Sequence, residues 1–170
     1  MTALRPELLA GRTVSLVGDA PAVNSLLKAL GARVETEATE STDAIVYDAQ
    51  QAFGDGGRDG LREASAHGWT AIRDVATGAL IGHERPGKVV IIAPRPDAGA
   101  FAGAAIAALE SLARTLSVEW ARSGITATVI TPGSDSTDDQ IAELACYLVS
   151  PAGDYFSGCR FSLGVTAPAG

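Results

Sequence analysis

The chain has 170 residues, 46% of them hydrophobic and 19% charged, and thirteen Lys and Arg against twenty Asp and Glu leave a net charge of −7. That length suits one domain spanning residues 1–170, with too many apolar residues for a disordered chain. Two lysines, Lys28 and Lys88, in an acidic chain do not make the clustered positive charge that nucleic acid or an anionic membrane requires, so neither partner is expected.

In chain order, residues 1–10 read as an N-terminal extension without the basic and apolar blocks of a signal peptide. Thr13–Val17 is a short β-branched apolar run that stops at Gly18-Asp19, as a buried strand with a tight turn does. Pro21 suits a first helical turn. Val23, Leu26, Leu27 and Leu30 then recur at helical spacing, and Gly31 is the stop. Arg33–Thr36 is predicted as a second strand, which makes a right-handed βαβ unit. A polar link leads to a third strand, Asp43–Asp48. The glycine-rich Phe53–Gly60 is predicted as a loop, followed by two helical stretches, Leu61–His67 and Trp69–Ile81.

Lys88–Ala93 is the clearest strand, and its unbroken apolar run suits a strand covered on both faces. Pro94-Arg95-Pro96 ends its ladder. Ala100–Ser123 is the longest predicted helix, with Leu109, Leu112, Leu116 and Trp120 in one stripe and Glu110–Arg114 paired at i,i+4. Its first part, Phe101–Leu109, is apolar on every face. One sheet covers only one side of it, so a second cover is expected. Ile125–Ile130 is the next strand. Ser136 is the expected N-cap of a helix with Asp138 and Asp139 in its first turn. Cys159–Leu163 is a last strand, and 166–170 is a tail. The alternation predicts an α/β fold: a doubly wound, mostly parallel, Rossmann-like sheet of about six strands.

The longest uncharged run, Ala98–Leu109, is too short for a membrane span of roughly 18 apolar residues, and the chain is expected in the cytoplasm. Cys146 and Cys159 lack paired spacing and His partners. With His67 and His83 they form no metal site and read as inert thiols. Asp19, Tyr47, Asp48 and His83 are the polar residues nearest the strand ends, where doubly wound sheets bind ligands. A non-redox acid/base site of Tyr47 and Asp48 is one reading. Local capping of turns is the simpler one, and His67 and His83 read as surface residues. Trp120 reads as core.

The stretch LESLARTLSVEWARSGITATVITPG, with GRTVSLVGDAPAVNSLLKALGARV, TDAIVYDAQ, PGKVVIIAP and YFSGCRFSLGV, resembles the short-chain dehydrogenase/reductase family over nearly the whole chain. The resemblance implies a Tyr that protonates a carbonyl, a Lys four residues later on the same helix face, and a Ser at a strand end. Here those positions fall on Ala102, Ile106 and Pro94. No Lys lies in 89–170, and no Tyr-x-x-x-Lys exists. The family's three glycines at the dinucleotide turn correspond to Gly18, Ala22 and Asn24, so two of the three carry side chains. Relative to the family the chain reads as truncated, with six polar residues where a further helix and strand are usual and almost no segment after Pro132-Gly133. The expectation is a subunit without chemistry or cofactor of its own. It would pair with a catalytic homologue that carries NAD(P), through the helix bearing Phe101, Ala104, Ala105, Ala108 and Leu112. The alternatives are a binding module that keeps a nucleotide or acyl-thioester in the residual cleft, and a repurposed non-redox enzyme.

Overall fold

A computed structural model describes residues 3–53, 57–82 and 85–164; His83 and the expected tail 166–170 lie outside them. Six strands form one sheet: β1 (Thr13–Val17), β2 (Arg33–Glu35), β3 (Ala44–Asp48), β4 (Gly87–Ile92), β5 (Ile125–Thr131) and β6 (Cys159–Ser162). Their order is β2-β1-β3-β4-β5-β6, and every pairing is parallel. Parallel strands need crossovers, and four helices supply all but the β2–β3 connection: α1 (Pro21–Ala29), α2 (Gly57–Val75), α3 (Ala102–Glu119) and α4 (Asp138–Val149).

Strand alternation splits the core in two. Val14, Leu16, Val46, Val90, Ile92 and Ile130 pack under α1 and α4. Ile45, Tyr47, Val89, Ile91 and Val129 pack under α2 and α3. Each central strand is therefore apolar on both faces, which is why its sequence reads as an unbroken run.

The local signals worked where one residue carries the geometry. Pro21 opens α1, and Gly31 ends it at φ 92°, in the left-handed region. Three expectations are corrected. The two stretches Leu61–His67 and Trp69–Ile81 are one helix, α2, that already includes Gly57–Gly60 of the expected loop and ends in a π turn at Ala76–Leu80. Gly68 does not break it. A Cβ there would lie 2.7 Å from the Tyr47 hydroxyl, so this glycine is required by packing against β3. The cap of α4 is Thr137, one residue past the expected Ser136. Thr137 and Gln140 form a reciprocal capping box, while the Ser136 hydroxyl accepts the Gly133 N–H. The long helix ends at Glu119, and Ala121–Ser123 continues it as one 3-10 turn.

Lys88 had no assigned role in the sequence. It is 3% exposed on the α4 face of β4, and its ammonium donates to the carbonyls of Leu148 (3.1 Å) and Ser150 (2.6 Å) and meets Asp154 Oδ1 at 2.6 Å. All three ammonium protons are thereby used, two of them on carbonyls at the C-terminal end of α4 that have no helical partner.

Candidate functional site

From β1 the chain crosses to β2 on one side, while β3 lies on the other, so the carboxyl ends of β1 and β3 flank a switch point. A cleft of about 470 Å³ opens there. Its walls are the β1–α1 turn with Asp19, the first turn of α1, Gln50 and Gln51 after β3, Arg95 and Asp97 after β4, and Asp138 of α4. The N-terminus of α1 enters this space without a side-chain cap.

Charge in the cleft is dominated by carboxylates. Asp48, at the end of β3, is 5% exposed, and its Oδ1 accepts the Gln50 N–H at 3.0 Å. Burial holds its carboxyl above the usual carboxylate range, and Asp19 and Asp138 push it further the same way. Among the described residues the cation lining the cleft is Arg95, and three of its N–H donors are used within the chain. Nη1 reaches the carbonyls of Gly133 and Ser136, and Nη2 lies 2.8 Å from Asp138 Oδ1. Pro94 and Pro96 hold the backbone on either side of it. Sequence reasoning saw this triplet only as punctuation. The available signal was an arginine fixed between two prolines at a strand end.

Gly18 has φ 106°, and a Cβ on it would strike the Asp48 carbonyl. Its glycine is explained by the approach of β1 to β3, with no ligand needed. Ala22 lines the cleft, and Asn24 is half-buried one turn inside α1, its Oδ1 buried without a hydrogen-bond partner. Pro94 is buried at the end of β4, Ala102 is 2% exposed in the first turn of α3, and Ile106 is half-buried against the α2–α3 core. None of these three side chains can donate or accept a proton.

Tyr47 and Asp48 do not form a pair. As strand neighbours they point to opposite faces. Tyr47 is 2% exposed among the α2–α3 core, its hydroxyl without a hydrogen-bond partner beside Gly68. Burial, and then the charge of Asp48, raises the pKa of its phenol. His67 is exposed on α2. Cys146 is fully buried, which pushes its thiol up to about 12, and the half-buried Cys159 donates to the Ser157 carbonyl. No group of acidic, His and Cys residues among those described could hold a metal ion, and no described helix is long and apolar enough to cross a membrane.

The expected interface residues on and beside α3 divide. Ala104 and Ala108 are exposed, as are Gly103, Ala107 and Ser111. Phe101 and Leu112 are half-buried, Leu112 against its own core. Ala105 is a correction: at 0% exposure it packs on the sheet of its own chain and is closed to any partner.

No protein-family model and no curated protein matches the sequence. Solved structures do match the fold. The citronellol catabolism dehydrogenase AtuB of Pseudomonas aeruginosa PAO1 superposes with a TM-score of 0.74 at 16% identity, covering 95% of this chain and 97% of that one. The enoyl-[acyl-carrier-protein] reductase (NADH) of Aquifex aeolicus VF5 gives 0.72 at 18% identity, covering 94% and 100%. A dehydrogenase/reductase of Sinorhizobium meliloti 1021 gives 0.71 at 19%, covering 91% and 94%. The chain thus has the Rossmann-like fold of dehydrogenases and reductases.

Proposed function

We propose that the chain is a non-catalytic short-chain dehydrogenase/reductase-like subunit that assembles with a catalytic short-chain dehydrogenase and stabilises or regulates it. On this reading the complex is an NAD(P)-dependent oxidoreductase whose chemistry belongs to the partner. The observation that carries it is on α3. This helix exposes the uncharged Gly103, Ala104, Ala107, Ala108 and Ser111, while the positions that the resemblance assigns to proton transfer hold Pro94, Ala102 and Ile106. Small side chains let a second helix approach to about 8 Å between axes. An ordinary stable interface needs about 800 Å² from each side.

The residues of the cleft do not fit a dinucleotide. A pyrophosphate at the N-terminus of α1 would meet Asp19, Asp97 and Asp138 on the walls, with Asp48 behind them and the charge of Arg95 already paired with Asp138. A binding module is the second reading, favoured by the cleft's volume, which is in the usual range of about 300–1,000 Å³ for small ligands.

The test is co-expression with short-chain dehydrogenases encoded beside it, followed by mass measurement of the purified complex. A stoichiometric complex that Ala104→Glu dissociates is expected. Failure of every such dehydrogenase to co-purify overturns the reading. Calorimetry with NADH and NADPH separates the second reading: a dissociation constant at or below about 10 μM, roughly −7 kcal/mol, would favour it.

A further inference from the structure

On the other layer, α1 and α4 pack side by side, and between them lies a groove of about 550 Å³. Residue spacing makes it. Ala22, Ser25, Leu26 and Ala29 recur at i, i+3, i+4 and i+7 and form one stripe of α1, while Asp139, Ala142 and Glu143 form the facing stripe of α4. Short side chains on both stripes leave the space open, with the half-buried Leu26 and the buried Ala142 as its apolar floor. Its charged walls are acidic: Asp139 is exposed, Glu143 is half-buried, and no lysine or arginine among the described residues lines the groove. Lys28, on α1, stands outside that lining. The groove shares Pro21 and Ala22 with the cleft at the strand ends, where Asp19 and Asp97 add to the same charge and Arg95 is paired with Asp138. Glu143 already accepts one donor from a peptide chain: its Oε1 takes the backbone N–H of Ala3 at 3.0 Å.

We propose that the α1–α4 groove is a docking site for a basic amphipathic helix of a partner polypeptide. Two helices side by side leave a furrow that takes the ridge of a third, whose apolar anchors recur at i, i+3, i+4 and i+7. The floor at Leu26 and Ala142 receives those anchors, and lysines or arginines flanking them meet Asp139 and Glu143. The helix dipole offsets part of the charge of Asp139, in the first turn of α4, and leaves that of Glu143, in the second, in full. Charge selects the occupant. A second copy of this −7 chain, docked by a two-fold axis on the groove, would set the same carboxylates against each other. An acidic peptide meets the same repulsion. Across the sheet the balance differs, because Asp59 and Glu63 of α2 stand next to Arg58 and Arg62. The inference is independent of the subunit reading, which uses α3 on the other face of the sheet.

The experiment is fluorescence anisotropy of a labelled peptide of leucine and lysine at helical spacing, about 14 residues and roughly 20 Å long as a helix, titrated with the full chain. Expected are a dissociation constant at or below about 50 μM, weaker binding as salt rises from about 50 to 500 mM, and none by the same peptide with glutamate for lysine. Asp139→Asn combined with Glu143→Gln should weaken binding at least about tenfold. Ser25→Trp, at an exposed position whose new ring fills the groove, should do the same, both with unchanged circular dichroism. Asp59→Asn combined with Glu63→Gln removes as much charge from α2 and should change nothing. No binding up to about 1 mM, an equal loss in the α2 variant, or a Ser25→Trp chain that binds like the parent overturns the proposal. So does an equally tight complex with spermine, which has the charge without the apolar anchors. No dehydrogenase enters the assay, so its failure leaves the subunit reading untouched.

Discussion

Lys88 is a buried cation whose surroundings decide its worth. Its carboxylate partner, Asp154, is half-exposed and stays hydrated if the pair is broken, whereas the Leu148 and Ser150 carbonyls lose a buried donor. Lys88→Met should therefore cost about 2 kcal/mol, from two orphaned acceptors at the end of α4. Asp154→Asn should cost less, and denaturant unfolding of both variants checks the order. Burial lowers the lysine's pKa from its ordinary 10.5, against the opposing pull of Asp154. Between that lowered value and 10.5 the unfolded chain binds more protons, so this group favours folding increasingly as pH rises. Lys88→Met should remove that alkaline rise. Asp48 gives the mirror case. Its folded pKa is raised above the ordinary 3.8, mainly by burial, so ionisation penalises the fold fully above the raised value and not at all below 3.8. Asp48→Asn should stabilise the protein at pH 7 and leave it nearly unchanged at pH 3. A variant less stable than the parent at pH 7 would count against this electrostatic account.

At the scale of elements, α2 and α4 show how one residue sets a helix. Gly68 lies mid-helix, where glycine costs about 1 kcal/mol relative to alanine. Even so, Gly68→Ala should destabilise, because its Cβ would sit 2.7 Å from the Tyr47 hydroxyl and neither buried group can yield freely. The expected loss is about 1–3 kcal/mol, read from the thermal transition. A gain in stability would mean that the ring moves aside. Thr137 does the opposite work at the exposed start of α4. Thr137→Ala should cost about 1 kcal/mol by removing the side-chain half of the capping box. Ser136→Ala should instead release the Gly133 N–H and loosen the loop that Arg95 holds, visible as faster amide exchange at Gly133.

For the whole molecule, the fold is that of dehydrogenases, and the expected activity of the isolated chain is none. A positioned general acid alone contributes typically about 10²–10⁴ in rate, and Pro94, Ala102 and Ile106 supply no proton at the three positions of the family resemblance. Steady-state assays with NADH and NADPH against ketone, aldehyde and enoyl substrates should show no turnover above the buffer. Protein-dependent oxidation of either nucleotide would refute this.

The layered α/β architecture was legible because each central strand must be apolar on both faces and each helix on one. Those periodicities survive in one dimension as the run Lys88–Ala93 and the stripe of Leu109, Leu112 and Leu116. The turns at Pro21 and Gly31 were legible for the same reason, since a single residue's backbone carries the signal. The cleft was legible only in outline. Asp19 and Asp48 could be placed at strand ends, yet Arg95, Gln50 and Asp138 come from segments far apart in the chain and converge through the strand order alone. Tyr47 and Asp48 looked like a pair because they are adjacent, and the pleat sends them to opposite faces. Gly68 fell between two predicted helices and Lys88 counted only as one of two lysines, because what each requires is a partner on another element: the Tyr47 ring for one, the end of α4 for the other. Periodicity belongs to a segment and can be read from it. A contact between segments exists only once the sheet has brought them together.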